Sequence, residues 1–436
     1  MSTQEVSTKQ ERIAENAKRL PDVSFSALAH HIDVKWLFEA YNQTRKNAAP
    51  GSDGMTSEEY ALNLGENLQR LLDRAKSGKY RAPAVKRVHI PKGKGKETRP
   101  LGLPTFEDKI LQRAVKMALE PLYEQEFYDC SYGFRPGRSQ HMAITKMRNE
   151  LMKMNGGWII DIDIKKYFDT IDHQKLREII SKRVCDGVIT RLIGKWLKAG
   201  ILEDGELYYS KRGTPQGGVL SPLLSNIYLH EVLDVWFEDT AKPRLKGKAF
   251  MVRFADDVIM GFQNKKDALR VYEVLPKRFA KYNLTLHPEK TRLIRFCRPN
   301  GADKVKPETF DFLGFTHYWG KSRKGHYIIK HKTGKGRLAR TIHNFNIWLK
   351  KNRHMEVKEQ HAILCRKLQG HYAYYGITFN YDMLYRVWEA VKFLWKKWLS
   401  RRSRKSYLNW DKFECLLERY PLTKPRVVHS IYAANL

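Results

Sequence analysis

Phe250-Met251-Val252-Arg253-Phe254-Ala255-Asp256-Asp257-Val258-Ile259-Met260-Gly261-Phe262 reads as two apolar runs that meet at a pair of carboxylates. Apolar, partly β-branched residues on either side of Ala255-Asp256 predict a hairpin of two strands with the acids at its tip. Adjacent carboxylates repel each other, so their concentration at one turn suggests binding of divalent cations. Carboxylate oxygens are hard ligands suited to Mg²⁺, and few are needed because water and substrate phosphates complete the octahedron. An Asp-Asp turn standing alone is more often an ordinary surface turn.

A second acid-bearing strand lies about 90 residues upstream. Trp158-Ile159-Ile160-Asp161-Ile162-Asp163-Ile164 is rich in β-branched residues and reads as a buried strand. At period 2, Asp161 and Asp163 point the same way, and a buried aspartate needs a partner or a metal to offset its lost hydration. The plainer reading, a carboxylate capping the next helix, suits Asp169 or Asp172. Together the two acid-bearing segments predict a polymerase palm, where two ions about 4 Å apart activate an attacking hydroxyl and stabilise a leaving oxygen. Between them, Gly213-Thr214-Pro215-Gln216-Gly217-Gly218 allows close backbone approach and leads into a helix at Ser221-Pro222. That loop is either an ordinary helix start or a platform for a templating base and its nucleotide.

Around this centre the pattern alternates. Residues 1–22 are polar. Residues 24–47 read as a helix from Leu28, Ile32, Trp36, Leu37 and Tyr41, and 66–76 as another closed by Ser77-Gly78. From Val85 to Leu103 the chain reads as strand, basic loop and strand, followed by an amphipathic helix over 106–120. Mixed elements to about 320 predict α+β, and beyond 335 the pattern is long basic helices rich in Trp and Tyr.

Composition narrows the partners. The 436 residues carry 80 Lys+Arg against 47 Asp+Glu, a net charge of +33. A polyanion is the expected partner, nucleic acid before an acidic membrane or a ribosomal surface. From Lys321 onward there are 26 Lys+Arg and 7 Asp+Glu, so composition changes near 320. Cys130, Cys185, Cys297, Cys365 and Cys415 form no C-x-x-C pair, which speaks against a zinc ribbon or disulfide framework and for a reducing compartment. The acidic N-terminus lacks an apolar core of a signal peptide, and the longest uncharged stretch, Gly213 to His230, is broken by two prolines, so no membrane association is expected.

Eight blocks then appear in order: AAPGSDG, IPKGKGKETRPLGLPT, SYGFRPGRS, IDIKKYFDTIDH, TPQGGVLSPLLSNIYL, FADD, LTLHPEKT and FDFLGF. In these the chain resembles group II intron-encoded reverse transcriptase/maturases over roughly 25–430. LQGHYAYYGI, KKWLSRRSRKSYLNW and PLTKPRVVHS resemble the family's maturase, or thumb, region. The resemblance implies a right-hand polymerase: a polar extension over 1–22, fingers and palm over 23–320, an α-helical thumb/maturase domain over 321–395 and a basic nucleic-acid-binding segment over 396–436.

It also implies roles for particular residues. Asp163, Asp256 and Asp257 match the catalytic aspartates, with Asp163 and Asp256 carrying most metal contact and Ile164 lending a backbone carbonyl. Two Mg²⁺ ions are implied, with Mn²⁺ as a substitute. Phe168 matches the bulky gate against a ribose 2′-OH, with core packing as its alternative. Gln216 would touch the nascent pair, and Lys92 and Arg99 the incoming triphosphate unless they belong to a solvated loop. Lys290 would protonate the leaving pyrophosphate or is a surface lysine. Arg135, Lys396, Lys397, Arg401, Arg402, Arg404 and Lys405 are expected at nucleic acid. Trp395, Trp398 and Trp410 are more often core than base platform, whereas His371, Tyr372, Tyr374 and Tyr375 are either.

The implied partners are group II intron RNA, an RNA template with DNA primer or target DNA, and dNTPs, in the bacterial cytoplasm and at the nucleoid on target DNA. Two features depart from the family pattern. Phe254 stands where Tyr is usual, and no His/Asn-type nuclease segment with paired cysteines follows the basic region, so second-strand cleavage is not expected. Two rival readings are an RNA-binding splicing factor with a dead polymerase site and a related enzyme recruited to defence or sequence diversification.

Overall fold

In the computed structural model the 250–262 run forms two antiparallel strands, Ala249–Phe254 and Asp257–Phe262, as the pattern predicts. The structure describes residues 2–91, 98–203, 205–209, 212–213, 217–300, 307–403 and 407–432. Lys92, Gln216, Arg404 and Lys405 lie outside the described residues, as does the side chain of Arg99.

Eleven strands occur among the described residues: β1 Val85–Pro91, β2 Thr98–Leu103, β3 Gly156–Ile162, β4 Ile201–Glu203, β5 Glu206–Tyr208, β6 Ala249–Phe254, β7 Asp257–Phe262, β8 Arg292–Cys297, β9 Phe310–Phe312, β10 Phe315–Lys321 and β11 Tyr327–Thr333. They make three sheets, ordered β2-β1-β4-β5, β6-β7-β3-β8 and β11-β10-β9. With the helices between them this is an α+β chain. Two compact units divide it, one of residues 1–139 with 160–293, the other of 140–159 with 294–436. The compositional change near 320 therefore falls within the second unit.

The first unit is built on the helix Phe106–Tyr123. Thr105 caps it by accepting from the Asp108 amide, and Ile110, Leu111, Ala114, Val115, Ala118 and Leu119 are all buried. Each large apolar side chain enclosed there contributes roughly 1.5–3 kcal/mol. The N-terminal helix Ser2–Arg19 buries Val6, Ile13 and Ala17, and Gln10 donates to the Met117 carbonyl at 2.9 Å. One expectation needs correction: 24–47 is not one helix. Ala29–His31 form a 3₁₀ turn, and the α-helix runs only over Val34–Gln43, with Asp33 accepting from the Trp36 amide at 2.8 Å as its cap. Apolar spacing placed Leu28 and Ile32 correctly in the core but could not see that Asp186 takes the Leu28 and Ala29 amides, each at 2.8 Å. Those two bonds hold the segment out of helix.

In the second unit, the helices Lys335–Lys351, Val357–Tyr375, Tyr381–Leu399 and Trp410–Arg419 surround one core. Leu384, Val387, Val391 and Trp395 supply one stripe, and Leu364, Leu368 and Tyr372 face it from another helix, both at helical spacing. Among the described residues no helix is long and apolar enough to cross a membrane.

Candidate active site

The hairpin closes on the pair Phe254↔Asp257, which leaves Ala255 and Asp256 as a two-residue turn. Ala255 has φ +57° and Asp256 does not share that sign, a turn geometry that favours glycine at the first central position. An alanine there costs about 1–2 kcal/mol, so the surroundings must hold it. Gly133 does so from below. A Cβ on it would lie 2.2 Å from the Ala255 nitrogen and 2.9 Å from the Phe254 carbonyl carbon, so only glycine fits. Its segment is tied to β6: the Tyr132 amide donates to the Arg253 carbonyl at 2.8 Å, and the Arg253 amide to the Cys130 carbonyl at 2.7 Å.

Arg253 is the residue that sequence reasoning missed. It is fully buried, yet every arm of its guanidinium is engaged. Nε and Nη2 donate to the Asp234 carboxylate at 2.8 and 2.5 Å, and Nη1 donates to Asn226 Oδ1 at 2.9 Å and to the Ala255 carbonyl at 3.2 Å. Asn226 in turn donates to the Gly133 carbonyl at 2.7 Å. Burial pushes the Asp234 carboxyl up, but the Arg253 guanidinium and His230 together outweigh it and hold the group below the usual range. One buried cation thus fixes both sides of the turn that presents Asp256 and Asp257. The available signal was a lone arginine inside an apolar strand, which must have a partner.

Asp163 follows β3 directly, and β7 is the neighbour of β3 in the sheet. Its backbone is clamped by the 285–291 segment. The His287 amide donates to the Asp163 carbonyl at 2.8 Å, the Lys165 amide donates to Thr285 at 2.9 Å, and Ile164 bridges Leu286. Lys290 Nζ stands 3.7 Å from Asp163 Oδ2, both partly solvated, so the lysine lies beside the acid rather than in bulk water. Asp161 pairs instead with Arg292 at 3.2 Å. Asp172, the alternative cap, accepts from the Gln174 and Lys175 amides. Four residues beyond Asp163, the buried Tyr167 donates to the Ser225 carbonyl at 2.7 Å. Its hydroxyl is raised mainly by burial and also by the charge of Asp256, which brings the turn and the post-β3 segment into one electrostatic neighbourhood.

Phe168 is buried, edge-on to Tyr167 at 5.3 Å. The loop that holds Gln216 is pinned on both sides of it. A Cβ on Gly213 would lie 3.0 Å from the Phe168 carbonyl oxygen and the Asp169 backbone, and one on Gly217 only 2.2 Å from the Gly102 carbonyl oxygen on β2. Gln112 accepts from the Val219 and Leu220 amides at 2.8 and 3.3 Å. Gly213 thus lies against the expected gate and Gly217 against the strand of Arg99.

Arg135 stands apart from the nucleic-acid contacts expected of it. It is 7% exposed, pairs with Glu124 at 2.9 Å, and donates to the Tyr128 and Ser131 carbonyls at 2.9 Å each. Its charge is committed to holding its own loop. Lys396, Lys397 and Arg401 stay near the surface over aromatic rings, whereas Arg402 donates to the Met355 carbonyl at 2.6 Å. Trp395 is core and donates to Gln360, Trp398 is partly buried, and Trp410 is 44% exposed. Tyr372 and His371 are buried, and Tyr374 donates to the Leu313 carbonyl at 2.9 Å.

Among the described residues, no three or more His, Cys, Asp or Glu side chains are grouped as a cage for a metal. The donors at the turn and after β3 are nonetheless half-exposed to exposed carboxylates, hard oxygens open to a solvated ion that keeps water and phosphate in its shell. They fit Mg²⁺, and a closed thiolate or imidazole site is absent from this set.

Residues 90–317 match the family described as reverse transcriptase (RNA-dependent DNA polymerase). Protein YkfC of Escherichia coli is 40% identical over 233 residues, 52% of this chain and 61% of that protein. The group II intron-encoded protein LtrA of Lactococcus lactis is 39% identical over 227 residues, 51% of this chain and 37% of its own length. The putative COX1/OXI3 intron 2 protein of Saccharomyces cerevisiae is 28% identical over 366 residues, 82% of this chain and 38% of its own. The chain thus spans from 37% to 61% of the length of these curated relatives. With the acid-tipped hairpin, the strand bearing Asp163 and the glycine-pinned loop all inside the matched segment, the chain belongs to the reverse transcriptase (RNA-dependent DNA polymerase) family.

Proposed function

We propose that the chain is the RNA-directed DNA polymerase of a group II intron, copying intron RNA into DNA, and that it also acts as a maturase by binding that RNA and supporting its splicing fold. The observation that carries the reading is the rigidly held Ala255-Asp256 turn on the strand next to β3 and Asp163. Reverse transcriptases generally work with divalent metals. Asp163 and Asp256, with Asp257 intermittently and the Ile164 carbonyl, would hold two Mg²⁺ ions, or Mn²⁺, which supply hydroxyl activation and charge neutralisation at the leaving group.

The chain's own residues do the rest. Phe168 crowds the sugar 2′ position, Gln216 meets the nascent pair, Lys92 and Arg99 neutralise the triphosphate, and Lys290, which lies 3.7 Å from Asp163, gives a proton to pyrophosphate. The net charge of +33 supplies long-range attraction for RNA template, DNA primer or target DNA. Lys396, Lys397, Arg401, Arg402, Arg404 and Lys405 are the proposed contacts beyond the polymerase segment, and the bacterial cytoplasm is the proposed site of action.

Primer extension on an RNA template with Mg²⁺ and dNTPs, run beside Asp256→Ala, tests this. The wild type should extend, and the variant should lose activity by at least on the order of a thousandfold while still binding RNA. Tight RNA binding with extension by neither protein would favour the splicing-factor reading instead.

A further inference from the structure

Away from the hairpin, the first unit contains a concave cavity of about 930 Å³. The segment Tyr80–Ala84, the helices His173–Ser181 and Gly187–Leu197, and the β4–β5 hairpin form its walls, and among the described residues none of the proposed polymerase residues line it. Its volume is that of a site for a mid-sized organic molecule. Its charge is one-sided: Arg81, Arg177, Arg191, Lys195 and Lys198 line it, and among the described residues no Asp or Glu does.

Where these cations have partners among the described residues, the partners are backbone carbonyls. Lys195 donates to Gly78 at 2.7 Å and to Tyr80, Arg191 to Lys76 at 3.2 Å, and Arg177 to Gly194 at 3.5 Å. Carbonyls orient a cation without cancelling its charge, so the cavity presents a positive rim. Asp108, the acid behind the floor, is sealed off by the Tyr80 hydroxyl at 2.5 Å and the Trp196 indole at 2.6 Å.

The interior is apolar, with Ile180, Val184, Ile193 and Ala199 among its walls. On one side Tyr209 is 74% exposed and Leu207 48% exposed, large apolar surfaces left in water. Both stand over Gly200, where a Cβ would lie 2.7 Å from Leu207 Cδ1 and 3.2 Å from Tyr209 Cε1. An exposed aromatic face beside uncompensated cations and an apolar hollow is the combination that receives a flat base and its phosphate.

We propose that this cavity is a second nucleotide site, separate from the polymerase centre, which takes one unpaired nucleotide. The base lies against Tyr209 and the apolar wall, and the phosphate is met by Arg81, Arg191 and Lys198. The nucleotide comes either from an RNA strand or from a free nucleoside triphosphate; only the first source rests on the RNA-copying function proposed above.

Photo-crosslinking on the full chain separates the sources, with 8-azido-ATP in one arm and a single-stranded RNA oligonucleotide containing 4-thiouridine in the other, each mapped by peptide mass spectrometry. Crosslinks are expected on peptides from 173–198 and around Tyr209. Tyr209→Ala and Arg191→Glu should each lower their yield at least about fivefold, while primer extension on an unstructured template stays unchanged. Crosslinking by RNA alone assigns the site to the strand, and by ATP alone to free nucleotide. Yields unaffected by either substitution, or abolished by inorganic triphosphate as readily as by ATP, overturn the proposal. A parallel loss of extension in both variants would overturn its separateness from the polymerase centre. Persistent crosslinks in a protein that fails to extend any primer would instead overturn the polymerase reading and leave the cavity standing.

Discussion

In the unit that carries the hairpin, the decisive charge is enclosed: Arg253 and Asp234 both have no solvent exposure and meet at 2.5 Å. In the last helices of the second unit cations stay at the surface, Lys396 resting 4.7 Å from the Trp410 ring with neither residue fully buried. Charge inside a protein is costly unless paired, and what a fully satisfied pair contributes is a single geometry. Charge at the surface costs little and fixes little, but it attracts a polyanion over a distance that salt can shorten. Enclosed charge therefore holds the turn of the two carboxylates, whereas the exposed charge is what the proposed RNA would meet. Each part of this contrast can be broken separately.

The largest effect should come from Arg253→Met. It leaves Asp234 buried without its guanidinium and frees the Ala255 carbonyl, so stability should fall by about 3–5 kcal/mol in chemical denaturation. The double variant Arg253→Met/Asp234→Leu removes both charges and should recover most of that stability. Because the double variant still lacks the bond to the Ala255 carbonyl, kcat should stay depressed with KM for dNTP little changed. Full recovery of kcat would mean that the arginine only supports the fold.

Acid should next weaken the second unit. His331 is lowered to about 4, mainly by burial and further by the charge of Arg148, and His371 is lowered to about 4 by burial. His317, the cross-strand partner of His331, is also held neutral by burial. The folded values lie below the unfolded value near 6.5, so the unfolded chain takes up protons first. Stability from these groups is complete above pH 6.5 and is lost as pH falls toward 4, by roughly 2–3 kcal/mol for each of His331 and His371. Hydrogen exchange should show peptides of β10, β11 and the helix Val357–Tyr375 losing protection across that window. His331→Phe should flatten the response, and an unchanged profile would mean that these rings do not control the acid limb.

A subtler disturbance of the turn is Gly133→Ala. The new Cβ would press on backbone, which cannot rotate away, so a loss of about 1–3 kcal/mol is expected with a larger proportional fall in kcat. Thermal unfolding and single-turnover extension measure the two separately.

How much of this was readable beforehand varied by residue. The hairpin and the strand before Asp163 were legible because apolar runs and acids sit at strand spacing. The helix 106–120 was legible for the same reason at helical spacing, although it continues to Tyr123. The false helix start before Val34 was not, because its cause, Asp186, lies more than 150 residues away. Arg253 went unread although it is a charge inside an apolar strand, and its partners were hidden: Asp234 ends a π-helical turn, His230–Asp234, that no periodic pattern marks. Arg135 was expected at nucleic acid, and its pairing with Glu124 was not readable from the sequence.

The smallest expected effect tests the surface side of the contrast. Lys396 lies over both Trp410 and Tyr407, and these rings are 44% and 76% exposed. A solvated cation over a ring contributes about 0.5–1 kcal/mol, so Lys396→Ala should barely change the unfolding midpoint. The same substitution should weaken RNA binding a few-fold at low salt and reduce the slope of log affinity against log salt by up to about 1, as for the loss of one phosphate contact. Trp410→Ala should weaken binding too but leave the salt slope unchanged, since a ring releases no counterion. Equal slopes for Lys396→Ala and the wild type would show that this lysine serves its aromatic neighbours rather than a phosphate. The comparison between enclosed and exposed charge would then need a different surface cation to stand for it.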